Sequence, residues 1–146
     1  MRQNSNSPNA WNRLGTIKKV IGDYQGAEAA WLKANEINPK NSISFAALGE
    51  LYGFELKQPV KAEQMYLIAI ANEPDEMNWY LNLSEILLKG LQALPGNVTL
   101  TANLATYYKD INDIPRAIEW YEKLLKISPG NEAAKQDLAA LKAKAQ

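Results

Sequence analysis

The amino-acid sequence predicts an all-α protein built from repeated pairs of helices. Segments of about 34 residues resemble one another, and within them apolar residues recur every three or four positions, as on one face of a helix. Each segment ends near a proline: Pro39 and Pro74 are 35 residues apart, and Pro95 and Pro129 are 34 residues apart. Self-similarity at such a period is typical of stacked supersecondary units.

The clearest unit covers residues 98–131 and reads as helix, turn and helix. Apolar and aromatic residues recur on one side of its first half. Asp113 is a candidate cap for the second helix, and Pro115 fits in a first turn whose N–H groups have no helical partners. The second helix should end before Pro129, because proline disfavours helical geometry in the residue that precedes it.

The small and aromatic residues of this unit resemble those of the tetratricopeptide repeat. Leu104 is followed by the small residue Ala105 in the first helix, and Ala117 and Tyr121 occupy the second helix. The small side chains let the two helices approach closely, and the aromatic ring fills the gap between neighbouring units. The resemblance implies a solenoid of helix pairs.

Two earlier segments carry the same pattern. The first, residues 8–41, has the family's residues at Trp11, Leu14, Gly15, Ala27, Trp31, Ala34 and Pro39. The second, residues 42–76, has them at Phe45, Leu48, Gly49, Tyr52, Ala62, Tyr66, Ala69 and Pro74. It holds one extra residue, which we expect in the turn around residues 56–59, where loops absorb length at little cost. Residues 1–6 are polar, which predicts a disordered tail before a domain of residues 7–146.

The third unit, residues 77–97, is about 13 residues shorter than a standard repeat, because Pro74 and Pro95 are only 21 residues apart. Its start resembles the front of a first helix, and its end resembles the back of a second helix. The turn between them has been lost. We therefore predict one continuous helix over residues 77–94, which we call the fused helix.

Apolar residues surround much of the fused helix, more than one neighbour within the chain would cover. We therefore predict self-association, either as a dimer through this helix or by domain swapping of the C-terminal unit. The residues assigned to that contact are Trp79, Leu83, Leu87 and Leu91. The alternative is a monomer in which the flanking units close around the helix.

The last segment, residues 132–146, predicts a C-terminal capping helix. Ala134, Leu138 and Leu141 share one face, and polar residues occupy the rest. Terminal repeats need such a polar outer face. In all, the pattern predicts about eight helices.

Composition argues against catalysis and against metal or cofactor binding. The chain has no histidine and no cysteine, which removes the commonest general base, metal ligands and nucleophile. Its glycines match no phosphate-cradling motif between a strand and a helix. We therefore expect no enzyme activity, no metal, no cofactor and no small-molecule substrate.

Charge and hydropathy limit the partners further. Lysine and arginine total 16, as do aspartate and glutamate, so no net charge favours nucleic acid or an acidic membrane surface. No apolar run approaches the roughly 20 residues needed to span a bilayer, and no targeting segment precedes the domain. We expect a cytoplasmic protein that binds neither nucleic acid nor membrane.

The resemblance also implies a binding surface, since the first helices of such repeats line a groove that receives peptides or protein segments. The corresponding residues here are Asn12, Arg13, Thr16, Lys19, Glu50 and Asn82. Asparagine amides suit this role because they both donate to and accept from a peptide backbone. Some members of the family clamp a C-terminal carboxylate, but Glu50 and Glu85 would repel one. The alternative is a solvated helix face without a ligand.

Two functional hypotheses follow. The first is a non-catalytic protein-interaction scaffold whose partner is a peptide or protein segment in the groove. The second is a self-assembling structural module whose fused helix pairs with another copy. They differ in the residues they require, because the first needs the groove and the second needs the apolar surface of the fused helix.

Overall fold

A computed structural model describes residues 7–146, and within them the protein is all-α, as predicted. The predicted disordered tail, residues 1–6, lies outside this part of the chain. The described residues form eight α-helices: α1 Pro8–Val20, α2 Tyr24–Ile37, α3 Ser42–Glu50, α4 Pro59–Asn72, α5 Met77–Ala93, α6 Val98–Asp110, α7 Ile114–Ile127 and α8 Glu132–Lys144. None of these helices is both long enough and apolar enough to cross a lipid bilayer.

Side-chain caps start four of the helices. The carboxylates of Asp23 and Asp113 accept from the backbone N–H groups of Gly26 at 2.8 Å and Arg116 at 3.2 Å. Asn97 and Asn131 act in the same way at the starts of α6 and α8. These bonds satisfy donors that a helix leaves free in its first turn, so short polar residues in the linkers fix where each helix begins. The predicted role of Asp113 is confirmed.

Small residues let the two helices of each repeat pack closely. Ala27, Ala62 and Ala117 are fully buried. A Cβ atom on Gly15 would lie 2.5 Å from Nε1 of Trp31, and one on Gly49 would lie 2.6 Å from Cδ2 of Tyr66. The aromatic ring of the second helix therefore occupies the space that a side chain on the first helix would need.

The extra residue of the second repeat is absorbed at the end of α3. A π-helical turn, Leu51–Glu55, follows this helix directly, and the N–H of Leu56 bonds to the carbonyl of Leu51 at 3.0 Å. A π-turn accommodates one more residue than an α-helical turn. The extra residue therefore lies in this π-turn, just before the turn at residues 56–59 where we expected it. Within that turn Lys57 adopts a positive φ of 55°.

The shortened third unit is one uninterrupted helix, α5, Met77–Ala93. This confirms the fused helix, which ends one residue earlier than expected. The chain divides into two compact units, and the division falls between Ile86 and Leu87, inside α5. The first unit contains α1 to α4 and the start of α5, and the second contains the rest.

Candidate functional site

Polar side chains from three successive first helices meet in the first unit. Lys19 of α1 forms an ion pair with Glu50 of α3, and Asn82 of α5 hydrogen-bonds to the hydroxyl of Tyr66 on α4. Glu50 and Glu85 both act electrostatically on the same hydroxyl. We call Lys19, Glu50, Tyr66, Asn82 and Glu85 the first-unit polar surface.

Tyr66 joins the core to this surface. Only 1% of the residue is exposed, and its ring lies against Gly49. Burial is the largest of the effects that raise the pKa of Tyr66 to about 12; the carboxylates of Glu50 and Glu85 also raise it, and the hydrogen bond from Asn82 opposes them. The hydroxyl therefore stays protonated at neutral pH and keeps both a proton to donate and lone pairs to accept with.

The structure brings together three of the six residues predicted to line a groove: Lys19, Glu50 and Asn82. Arg13 and Thr16 are exposed on α1. The binding of a peptide by these residues stays a prediction, and their arrangement shows only that α1, α3 and α5 contribute to one polar surface.

Asn12 has a different environment from the other five residues. It is 9% exposed, and its backbone carbonyl accepts from the indole N–H of Trp31 at 3.3 Å and from the hydroxyl of Thr16 at 3.1 Å. Its side-chain Oδ1 is buried without a hydrogen-bond partner among the described residues. Asn12 therefore lies mainly between α1 and α2, where little of its amide reaches solvent.

The residues predicted for self-association are mostly covered by the chain itself. Leu83, Leu87 and Leu91 are 2%, 0% and 8% exposed, and Trp79 is half-buried. The exposed apolar residues at the start of the same helix are Met77 and Leu81. A contact between two folded copies through α5 would therefore use Met77 and Leu81 in place of the three leucines.

Sequence reasoning assigned Tyr66 only to the core and so missed its polar role. The ring does fill the core position expected of it. A buried tyrosine, however, usually finds a partner for its hydroxyl, and that rule, applied to the polar residues of the following helix, would have pointed to Asn82.

The second unit contains a related polar cluster, which is closed by an ion pair. The hydroxyl of Tyr121 donates to Asp137 at 2.8 Å, and Lys109 donates to the same carboxylate at 2.9 Å. Burial would raise the pKa of Asp137, but these two hydrogen bonds outweigh burial and hold it below its usual range. The hydrogen bond to Asp137 raises the pKa of Lys109. Both charges are thus neutralised within the chain.

An apolar groove of about 490 Å³ lies beside Trp120 in the second unit. Its other lining residues are Leu88, Leu91, Gln92, Pro95 and Lys123. The ammonium of Lys123 stands 3.9 Å from the centre of the indole ring, a cation–π contact, and also pairs with Glu119. The groove is therefore partly covered by a side chain whose charge already has partners.

No cluster of three or more acidic side chains in residues 7–146 is arranged to hold a metal ion. In the two polar clusters, Glu50 pairs with Lys19, and Asp137 pairs with Lys109 and accepts a hydrogen bond from Tyr121. Their arrangement suits recognition by hydrogen bonds and charge.

These features define an α-helical repeat protein with a polar surface formed by first helices. The family model described as tetratricopeptide repeat matches residues 8–41 and 101–131. The chain is therefore similar to the tetratricopeptide repeat family over these two segments, and its fused helix lies between them. No curated protein sequence matches it.

Solved structures share the fold at low sequence identity. The MamA protein is 21% identical, with a TM-score of 0.51, over 92% of this chain and 80% of that chain. YrrB, described as a TPR protein with an unusual peptide-binding site, is 12% identical, with a TM-score of 0.54, over 97% of this chain and 79% of that chain. At these identities the likeness establishes the fold alone.

Proposed function

We propose that the chain is a non-catalytic protein-interaction module that binds an extended peptide segment across the first-unit polar surface. The observation that carries the proposal is that Lys19 pairs with Glu50, while Glu50 and Asn82 both act on the hydroxyl of Tyr66, so that three successive first helices contribute to one surface. A peptide crossing this surface would contact all three helices at once.

The fold supports this function in general terms. Tetratricopeptide repeats are protein-interaction units, and YrrB, which has the same fold, has a peptide-binding site. A rigid surface formed in advance costs a ligand little ordering of the protein on binding. The side chains of the first-unit polar surface are held by their ion pair and hydrogen bonds, so they meet that condition.

The chemistry of the surface selects the kind of segment. The amide of Asn82 can both donate to and accept from a peptide backbone. Glu50 and Glu85 favour N–H groups and basic side chains and disfavour a free C-terminal carboxylate. The proposed ligand is therefore an internal, neutral or basic stretch of a protein.

A phage-displayed library of random 16-residue peptides, selected on the full chain, tests the proposal. Binders should lose at least tenfold in affinity when Lys19→Ala and Glu50→Ala are combined, because the double variant removes two side chains of the first-unit polar surface that the peptide would contact. Asn82→Ala should weaken the same peptides by a smaller factor. Each variant's helix content is checked by circular dichroism.

The matched control combines Lys33→Ala and Glu36→Ala. These two exposed residues of α2 also form a lysine–glutamate pair, with 2.6 Å between Nζ of Lys33 and Oε2 of Glu36. Both double variants leave the net charge unchanged, and the control should bind as the parent does. Peptides that bind both double variants as tightly as the parent would exclude the first-unit polar surface as the site. A library that yields no binders at all would count against peptide binding itself.

A further inference from the structure

The outward face of α1 is apolar and open to solvent. Leu14, Ile17, Val20 and Ile21 are 37%, 59%, 81% and 71% exposed. Together with Ala10, which is also exposed, they share one side of the helix, opposite the side that packs against α2. We call Ala10, Leu14, Ile17, Val20 and Ile21 the α1 stripe.

The same repeat positions are buried elsewhere in the chain. Leu48 and Leu104, which correspond to Leu14 by the repeat spacing, are 0% exposed, and Leu51, which corresponds to Ile17, is also 0% exposed. Helix α3 packs against both α2 and α4, whereas no described helix covers the α1 stripe. At the equivalent positions a neighbouring helix covers the apolar residues, and no helix within residues 7–146 covers them on α1.

The α1 stripe has the spacing of a two-helix contact. Ala10, Leu14, Ile17 and Ile21 follow one another at intervals of four, three and four residues, the heptad pattern of a coiled-coil seam. The only charged residue beside them on the exposed face is Arg13. Lys18 and Lys19 are engaged within the chain by Asp23 and Glu50.

We propose that the occupant of the α1 stripe is the α1 stripe of a second copy, packed antiparallel about a two-fold axis. The seam is self-complementary in this arrangement, because Leu14 faces Ile17 of the second copy and the small Ala10 faces the large Ile21. An isologous contact of this kind closes as a dimer. It lies on a different side of α1 from Lys19, so it goes beyond the proposed peptide binding.

Side-chain size favours the antiparallel direction. A parallel pair in register would set the two Ala10 residues against each other and the two Ile21 residues against each other, whereas the antiparallel pair sets each small Ala10 against a large Ile21. Helix α1 has no acidic residue, and Arg13 lies level with Lys18 of the second copy in the antiparallel pair, so charge does not select the direction.

The mass of the full chain across a concentration series, measured by sedimentation equilibrium, tests the contact. The 16.3 kDa chain should reach twice that mass as its concentration rises. Ile17→Glu should weaken the dimer at least tenfold. Ile43→Glu is the matched control, because Ile43 is a similarly exposed isoleucine, 63% against 59%, on another helix.

Two mass results would overturn the proposal. One is a parent chain that stays a monomer at the highest concentration, since the stripe would then need an occupant other than a second copy. The other is an equal loss of dimer in both glutamate variants, which would place the interface elsewhere. Both substituted positions are exposed, so the variants are expected to fold.

Disulfide cross-linking tests the direction, because the chain has no cysteine of its own. In the antiparallel pair, the two copies of residue 21 lie about 16 Å apart along the helix axis, beyond the reach of a disulfide. Ile21→Cys chains alone should therefore stay unlinked, whereas a mixture of Ala10→Cys and Ile21→Cys chains should form linked mixed dimers. Rapid linking of Ile21→Cys chains alone would show a parallel pair and overturn the antiparallel assignment.

Discussion

The same tyrosine of the repeat has different surroundings in the two units. Tyr66 and Tyr121 each lie on a second helix, are almost fully buried, and direct their hydroxyls to the sixth residue of the helix that follows their repeat. That residue is Asn82 in α5 and Asp137 in α8. Asn82 stands near two carboxylates, whereas Asp137 is paired with Lys109 at 2.9 Å.

The difference lies in the group that each tyrosine meets, since Glu50 is paired with Lys19 just as Asp137 is paired with Lys109. A carboxylate that receives two hydrogen bonds from its own chain has little capacity left for a ligand. An amide near two carboxylates keeps donors and acceptors that a peptide backbone can use. Function in repeat proteins thus depends on a few side chains placed on a shared backbone.

The largest expected effect comes from the packing beneath Tyr66. Gly49→Ala would place a Cβ 2.6 Å from the ring, so it should lower the free energy of unfolding by about 2 kcal/mol. Urea unfolding measures the change. Gly130→Ala, where no atom lies within 4 Å of the added Cβ, is the control and should be nearly neutral. A stable Gly49→Ala protein would mean that the ring is free to shift and that Tyr66 does not hold the surface in place.

Exchanging the two partner residues should destabilise both units, the first unit more. Asn82→Asp adds a third carboxylate near Glu50 and Glu85 and should cost about 1 to 2 kcal/mol at neutral pH. Asp137→Asn removes an ion pair whose side chains are about one-third exposed, and should cost no more than about 1 kcal/mol. Urea unfolding at pH 7 compares the two variants with the parent.

A further measurement at high salt separates charge repulsion from lost packing. The cost of Asn82→Asp should shrink in about 1 M NaCl, because salt screens the repulsion among the carboxylates. A cost that is unchanged between low and high salt would contradict the electrostatic explanation.

Removing the tyrosine hydroxyls should cost about 0.5 to 1.5 kcal/mol. Tyr121→Phe loses a hydrogen bond to a charged carboxylate and should cost about 1.5 kcal/mol, against about 0.5 to 1 kcal/mol for Tyr66→Phe, whose partner is a neutral amide. Thermal unfolding of both variants provides the comparison. A larger loss for Tyr66→Phe would show that the first-unit polar surface contributes more to stability than its hydrogen bonds suggest.

The smallest effect concerns acid. The pKa of Asp137 is lower in the folded protein than its ordinary value, so ionised Asp137 stabilises the fold above pH 4 or so, near the ordinary value of about 3.9. That stability is lost as the pH falls through the lowered pKa. The difference in unfolding free energy between the parent and Asp137→Asn should therefore be constant from pH 7 to 5 and shrink below about 4. A difference that persists at pH 2 would assign the effect to packing instead of charge.

The sequence by itself determined the repeats, the cap at Asp113 and the fused helix. Periodicity, Asp113 and the terminal prolines act within a few residues of the helices they shape, so α5 could be predicted to within one residue of its end. Lys19, Glu50 and Asn82 could be chosen from their repeat positions. Their surroundings could not be predicted in the same way, because Asn82 on α5 meets Tyr66 on α4 only after the chain has turned between these two helices.

Only the tertiary structure decided which apolar surfaces remain open. Leu83, Leu87 and Leu91 carry the pattern expected of an interface, yet the chain itself buries them, whereas Ile17 and Ile21 stay exposed. An apolar residue on a helix has the same local pattern whether its own chain or a second molecule covers it. Which of the two covers it depends on neighbours distant in sequence, and the tertiary contacts of the folded chain supply that information.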